Sequence, residues 1–104
     1  MTLSLLIPPE VEEQIRAIDS WWRENGPAAP SLFAEELAAG FELLKKAPQV
    51  GRRYPHPAVK NVRRLLLRSS RYHVYYTSGE EILIILSVWN AIRGTGPDLM
   101  SPRT

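Results

Sequence analysis

The apolar residues of this chain repeat at helical spacing as far as Lys46 and alternate from Val62 onward. A chain that changes period once, near its middle, is built as a helical layer followed by a sheet layer. In the first half, Val11, Ile15, Ile18 and Trp22 fall on one face of a helix beginning at Pro9. Glu10, Glu12 and Glu13 occupy its first turn, where negative charge suits the helix dipole. Asn25-Gly26-Pro27 is a stop signal, because glycine takes the cap position and proline cannot continue the ladder. A second helix is expected from Ala28 or Ser31 to Lys46, with Phe33, Leu37, Phe41 and Leu44 inward and Glu35, Glu36 and Glu42 outward. The short connection makes the pair an antiparallel hairpin. Trp22 lies on the inward stripe, which leaves Trp21 on a flank.

The strands are legible on either side of the helices. Leu3 to Ile7 is a short apolar strand ended by Pro8-Pro9. Residues 48–61, with Gly51, Pro55 and Pro57, read as a loop. Val62 to Arg68 and Arg71 to Thr77 form a hairpin turning at Ser69-Ser70, which pairs 68 with 71, 66 with 73 and 64 with 75. That register puts Leu65, Leu67, Tyr72, Val74 and Tyr76 on the face covered by helices. Arg64, Leu66, Arg68, Arg71, His73 and Tyr75 share the other. Ser78-Gly79-Glu80 turns into a last, almost wholly apolar strand from Ile82 to Trp89, suited to the sheet interior. The first strand is its expected neighbour, and the tail from about residue 90 should be irregular. The order β-α-α-β-β-β gives one α+β domain over residues 1–104. Its helical hairpin packs on one face of a mainly antiparallel four-stranded sheet.

Composition narrows the chemistry. None of the 104 residues is cysteine and only His56 and His73 are histidines, which argues against disulfides, thiolate metal sites and histidine-rich metal centres. No signal segment or membrane span is apparent, so a cytoplasmic domain is expected. Residues 1–47 carry four cationic against eight acidic side chains, and residues 48–104 carry nine against three. The basic half points to an acidic partner, protein or nucleic acid, or else to an ordinary solvated surface.

The sheet face opposite the helices then holds three arginines beside Ile84, Leu86 and Val88 from the last strand. Such a surface suits a peptide with apolar anchors and acidic flanks, or a phosphate-rich ligand, unless the tail folds back over it. Were the chain a nuclease, His73 and Tyr75 would be the proton-transfer pair and the arginines a phosphate clamp. No carboxylate on that face orients the imidazole. P-loop, dinucleotide, zincin and serine-elbow motifs are all missing.

The run Val62-Arg-Arg-Leu-Leu-Leu-Arg-Ser-Ser-Arg-Tyr-His-Val-Tyr-Tyr76 and the segment Ile84 to Pro97 resemble the RelE/ParE superfamily, the toxins of bacterial type II toxin–antitoxin pairs. The N-terminal strand, the tryptophan-bearing first helix, Leu-Leu-Lys-Lys-Ala-Pro48 and Gly51-Arg52 resemble it as well. The resemblance implies the β-α-α-β-β-β fold, no cofactor or metal, and a cognate antitoxin whose C-terminal segment folds onto the toxin, within a hetero-oligomer. RelE-like members are ribosome-dependent mRNA endonucleases, and ParE-like members poison DNA gyrase. Where RelE-like members use a late His or Tyr, this chain has neither after Tyr76, and Asn90 stands where relatives often carry His. The ParE-like branch is therefore preferred, with the endonuclease as the alternative. In this reading Arg93 and Arg71 engage the target. Arg64, Arg68, Leu66, Ile84, Leu86 and Trp21 meet the antitoxin.

Overall fold

The first helix, α1, runs Pro9–Asn25, and the second, α2, Leu32–Lys46. Proline at the first position of α1 loses no ladder bond, and the Pro8 carbonyl accepts from the amides of Val11 and Glu12 at 3.0 Å. Gly26 closes the helix by donating to the Trp22 carbonyl at 2.8 Å. The inward stripe of α2 is as expected: Phe33, Leu37, Phe41 and Leu44 are buried, together with Gly40. Trp21 lies on the flank of α1, 55% exposed.

The computed structural model describes residues 2–92, 96, 97 and 99. Five strands follow the order β1-β5-β4-β3-β2, with β1 at Ser4–Leu6, β2 at Arg52–Arg53, β3 at Arg63–Leu67, β4 at Tyr72–Ser78 and β5 at Ile82–Asn90. The β1–β5 pair is parallel and the others are antiparallel, so β5 is interior. The expected four-stranded sheet is thus corrected to five. The extra strand is a two-residue edge in the 48–61 segment, too short to show any alternation, and it pairs Arg52 with Arg64 and Arg53 with Arg63. It begins only after Gly51, where the chain is held inward: the Gly51 amide donates to the Tyr76 hydroxyl at 3.0 Å, and that hydroxyl donates to the Pro48 carbonyl at 2.6 Å. A side chain at Gly51 would collide with the same hydroxyl and come within 2.9 Å of the Arg64 carbonyl.

The β3–β4 register is the one expected, Leu66 opposite His73 and Arg64 opposite Tyr75. The core between sheet and helices contains Leu67, Val74, Tyr76, Leu83 and Ile85 against Phe33, Leu37 and Leu44. Each fully buried side chain of this size contributes about 1.5–3 kcal/mol.

On β5 the simple alternation fails. Tyr75 pairs with Ser87 but Tyr76 pairs with Ile85, so Leu86 is an extra, bulged residue. The bulge reverses the phase of the rest of the strand. Val88, expected on the open face, is buried in the helix-side core, and Trp89 takes its place outside. Gln14 of α1 repairs the interrupted ladder, its side-chain oxygen accepting from the Val88 amide at 3.0 Å and the Ser87 hydroxyl at 3.3 Å. The β5 strand also runs one residue past its expected end, through Asn90.

Candidate functional site

The sheet face away from the helices is not bare. Val59, Val62, Tyr75 and Leu99 form a second buried cluster, with Tyr54, Leu86 and Trp89 packed against it. The chain's own tail therefore covers part of that face, through Leu99, one of the two outcomes the sequence left open. Tyr75 is only 2% exposed, its ring 4.9 Å from Tyr54 and 5.9 Å from His73 in edge-to-face packing. The guanidinium of Arg64 sits 5.2 Å from the centre of the Tyr54 ring, a cation–π contact. His73 is half-buried between its cross-strand neighbours Leu66 and Trp89. Burial, and secondly the charge of Arg64, push its imidazole below the usual histidine value and favour the neutral ring.

Beyond this aromatic patch the surface is basic. Arg52 and Arg64 stand directly opposite each other on neighbouring strands, as do Arg53 and Arg63, an arrangement of like charges that costs stability. Arg63 is used internally, donating to the carbonyls of Gly51 at 2.8 Å and Gln49 at 3.3 Å. Among the described residues, the ion pairs lie on the helices, Arg16 with Glu12, Arg23 with Asp19 and Lys45 with Glu42. None of the sheet arginines has an acidic partner in that set.

Arg68 and Arg71 are exposed in the loop that joins β3 to β4. This loop is longer than a two-residue turn: Leu67 and Tyr72 are the last pair, and the Arg71 amide donates to the Leu67 carbonyl at 2.9 Å. Arg71 has φ 65°, in the left-handed region. Glu36, expected to point outward, instead reaches from α2 to the loop. Its carboxylate accepts from the Ser69 amide at 2.8 Å, the Ser70 amide at 2.9 Å and the Ser70 hydroxyl at 2.7 Å. Burial would raise its pKa, but the hydrogen bonds from Ser69 and Ser70 outweigh that and hold it below the ordinary glutamate value.

The sequence-derived site residues thus fall in three places. Arg64, Leu66, His73, Tyr75 and Leu86 meet on the sheet face, and Arg68 and Arg71 occupy its hairpin tip. Ile84 is half-buried opposite Thr77, near the other end of β5. Trp21 stands apart, on the helical layer. Arg93 lies outside the described residues. Glu36, Gln14 and Tyr54 escaped sequence reasoning. The one signal available for Glu36 was its place at the margin of the Phe33–Leu37 stripe.

A sequence profile described as "ParE toxin of type II toxin-antitoxin system, parDE" matches residues 5–93. The chain belongs to the ParE toxin family. It is accordingly a toxin of the type II toxin–antitoxin class and a member of the RelE/ParE superfamily. Among solved structures, a chain of the chromosomal ParDE system of P. aeruginosa superposes with a TM-score of 0.67 at 18% identity, covering 86% of this chain and 96% of that one. An arginine-to-alanine double mutant of the E. coli toxin RelE in its free state gives a TM-score of 0.59 at 18% identity, covering 88% and 86%. At that identity the likeness is one of fold. No curated protein sequence matches significantly. No helix among the described residues of this ParE-family chain is long and apolar enough to cross a membrane, and no group of three metal-ligating side chains occurs among them.

Proposed function

We propose that this ParE-family toxin arrests growth by binding and poisoning DNA gyrase and is neutralised by a cognate antitoxin. One observation carries the choice of a binding mechanism over strand cleavage: the tyrosine beside His73 is sealed beneath Tyr54 and Leu99, 2% exposed. A buried phenol is not available to a phosphodiester, so the proton-transfer pair of His73 and Tyr75 is incomplete. The surface instead offers guanidinium groups without acidic partners among the described residues, set beside apolar side chains, which is the chemistry of protein docking.

The antitoxin in this reading supplies an acidic C-terminal segment that folds as it binds. Its acids meet Arg64 and Arg68, and its apolar anchors meet Leu66, Ile84 and Leu86. Contact with Trp21 as well requires the segment to wrap from the sheet to the helical layer. Arg71 and Arg93 engage the target.

The deciding experiment is induced expression in a bacterium with pulse-labelled thymidine and methionine. Early loss of thymidine incorporation with a DNA-damage response, while methionine uptake continues, is the expected result. Early loss of methionine incorporation with DNA synthesis intact overturns the gyrase reading and favours a ribosome-dependent endonuclease.

A further inference from the structure

The end of the sheet that carries the β3–β4 loop is more constrained than a surface hairpin needs to be. Among the described residues, two other than glycine have positive φ, Asn61 at 59° and Arg71 at 65°. Asparagine tolerates that region; a long side chain such as arginine enters it at a cost. A long side chain at a position where glycine would serve the fold better directs attention to a role outside the fold.

The surroundings fix where Arg71 sits. Glu36 holds the loop from α2 through Ser69 and Ser70. The Arg71 carbonyl accepts from the Ala91 amide at 2.8 Å, tying the loop to the end of β5. Asn90, paired with Tyr72, accepts from the Ile92 amide at 2.9 Å through its side-chain oxygen, so it shapes the turn that presents Ile92. Ile92 is 75% exposed, the most exposed large apolar side chain among the described residues. Arg71 is exposed too, with no acidic partner in that set.

We propose that Arg71 and Ile92 form one pre-organised docking tip for a protein surface that offers a carboxylate beside an apolar pocket. A cation alone would suit nucleic acid equally. An exposed isoleucine in the next turn adds apolar area that a pocket on a protein surface can cover, and with the gyrase reading this favours a protein partner. The inference rests on the gyrase reading for the identity of the target and adds to it the surface of contact.

Two variants test it. Arg71→Gly relieves the strained backbone, so it should melt no lower than the parent protein while losing the guanidinium. Ile92→Lys replaces the apolar contact with a further positive charge at an exposed position. With purified gyrase, each folded variant should need at least tenfold more protein to inhibit supercoiling. Inhibition within twofold of the parent for either variant overturns the tip, and stronger inhibition by Ile92→Lys overturns the apolar pocket. If the parent leaves gyrase untouched and stops protein synthesis instead, the gyrase reading fails by itself. The tip is then read in growth arrest at equal expression: arrest retained by either variant overturns it, and arrest lost by both supports it.

Discussion

Glu36 and Gly51 show how much of this molecule depends on single side chains that grip the backbone of another element. The Glu36 carboxylate satisfies two loop amides and a hydroxyl at once, and hydrogen bonds to a charged acceptor are worth about 1.5–3 kcal/mol when well made. Partial exposure places this one toward the lower end, so Glu36→Gln should destabilise the fold by about 1–2 kcal/mol at neutral pH. The sign of the pH dependence is set by the carboxyl being more acidic folded than unfolded. Its stabilisation is complete above the ordinary glutamate value of the unfolded chain and is lost as pH falls through the lower folded value. Urea melts from pH 7 to pH 3 should show this loss in the parent and a flatter profile in Glu36→Gln; parallel profiles would refute the assignment. At Gly51, a methyl group meets the Tyr76 hydroxyl and the Arg64 carbonyl, with no room to retreat from either. Gly51→Ala should cost more than Tyr76→Phe. The second change leaves the Gly51 amide and Pro48 carbonyl without their partner, a loss of about 1–3 kcal/mol. Chemical denaturation of the two variants gives the order directly.

At the level of elements, the helices and the β3–β4 register are legible because their signals are long and redundant. Four stripe residues define each helix, and a one-residue slip in the hairpin would move Val74 and Tyr76 out of the core. The bulge is not legible. Alternation in Ile82–Asn90 is almost without polar markers, so a skipped residue at Leu86 leaves no trace in the pattern, and simple alternation puts Val88 on the wrong face. Only the tertiary partner reveals it, since Gln14 must fill the place of a ladder acceptor for the Val88 amide. Gln14→Leu keeps the helix and the bulk but removes that acceptor. It should destabilise by about 1–3 kcal/mol and speed amide exchange at Val88 above its neighbours on β5. Unaltered exchange there would mean that Gln14 does not hold the bulge. The strand β2 is hidden for a different reason: two arginines carry no period, and their pairing is decided by where Gly51 lets the chain turn.

Across the whole molecule, the two layers divide the charge as well as the structure. The acidic half of the sequence supplies the helical layer, where Arg16, Arg23 and Lys45 pair with the layer's own acids. The basic half supplies the sheet, where Arg52 and Arg64 face one another with no acid paired to either among the described residues. The site is legible to that extent, as an arginine-rich sheet face. The tail over Tyr75 and the carboxylate behind the hairpin tip are not, because both arise from contacts between distant segments. Opposed like charges are tolerated in the free toxin but favour a bound state that brings acids to them, so association with the antitoxin should be steered electrostatically. Arg64→Glu and Arg68→Glu should each weaken antitoxin binding by about 1–3 kcal/mol, with much of the loss in the association rate. Raising the salt concentration should slow association of the parent and narrow the gap between it and the variants, because screening acts on the attraction the variants have lost. Surface plasmon resonance at two ionic strengths separates this from a purely structural effect. A loss confined to dissociation and indifferent to salt would mean that these arginines act by packing, and that the exposed charge of the sheet serves something other than the antitoxin.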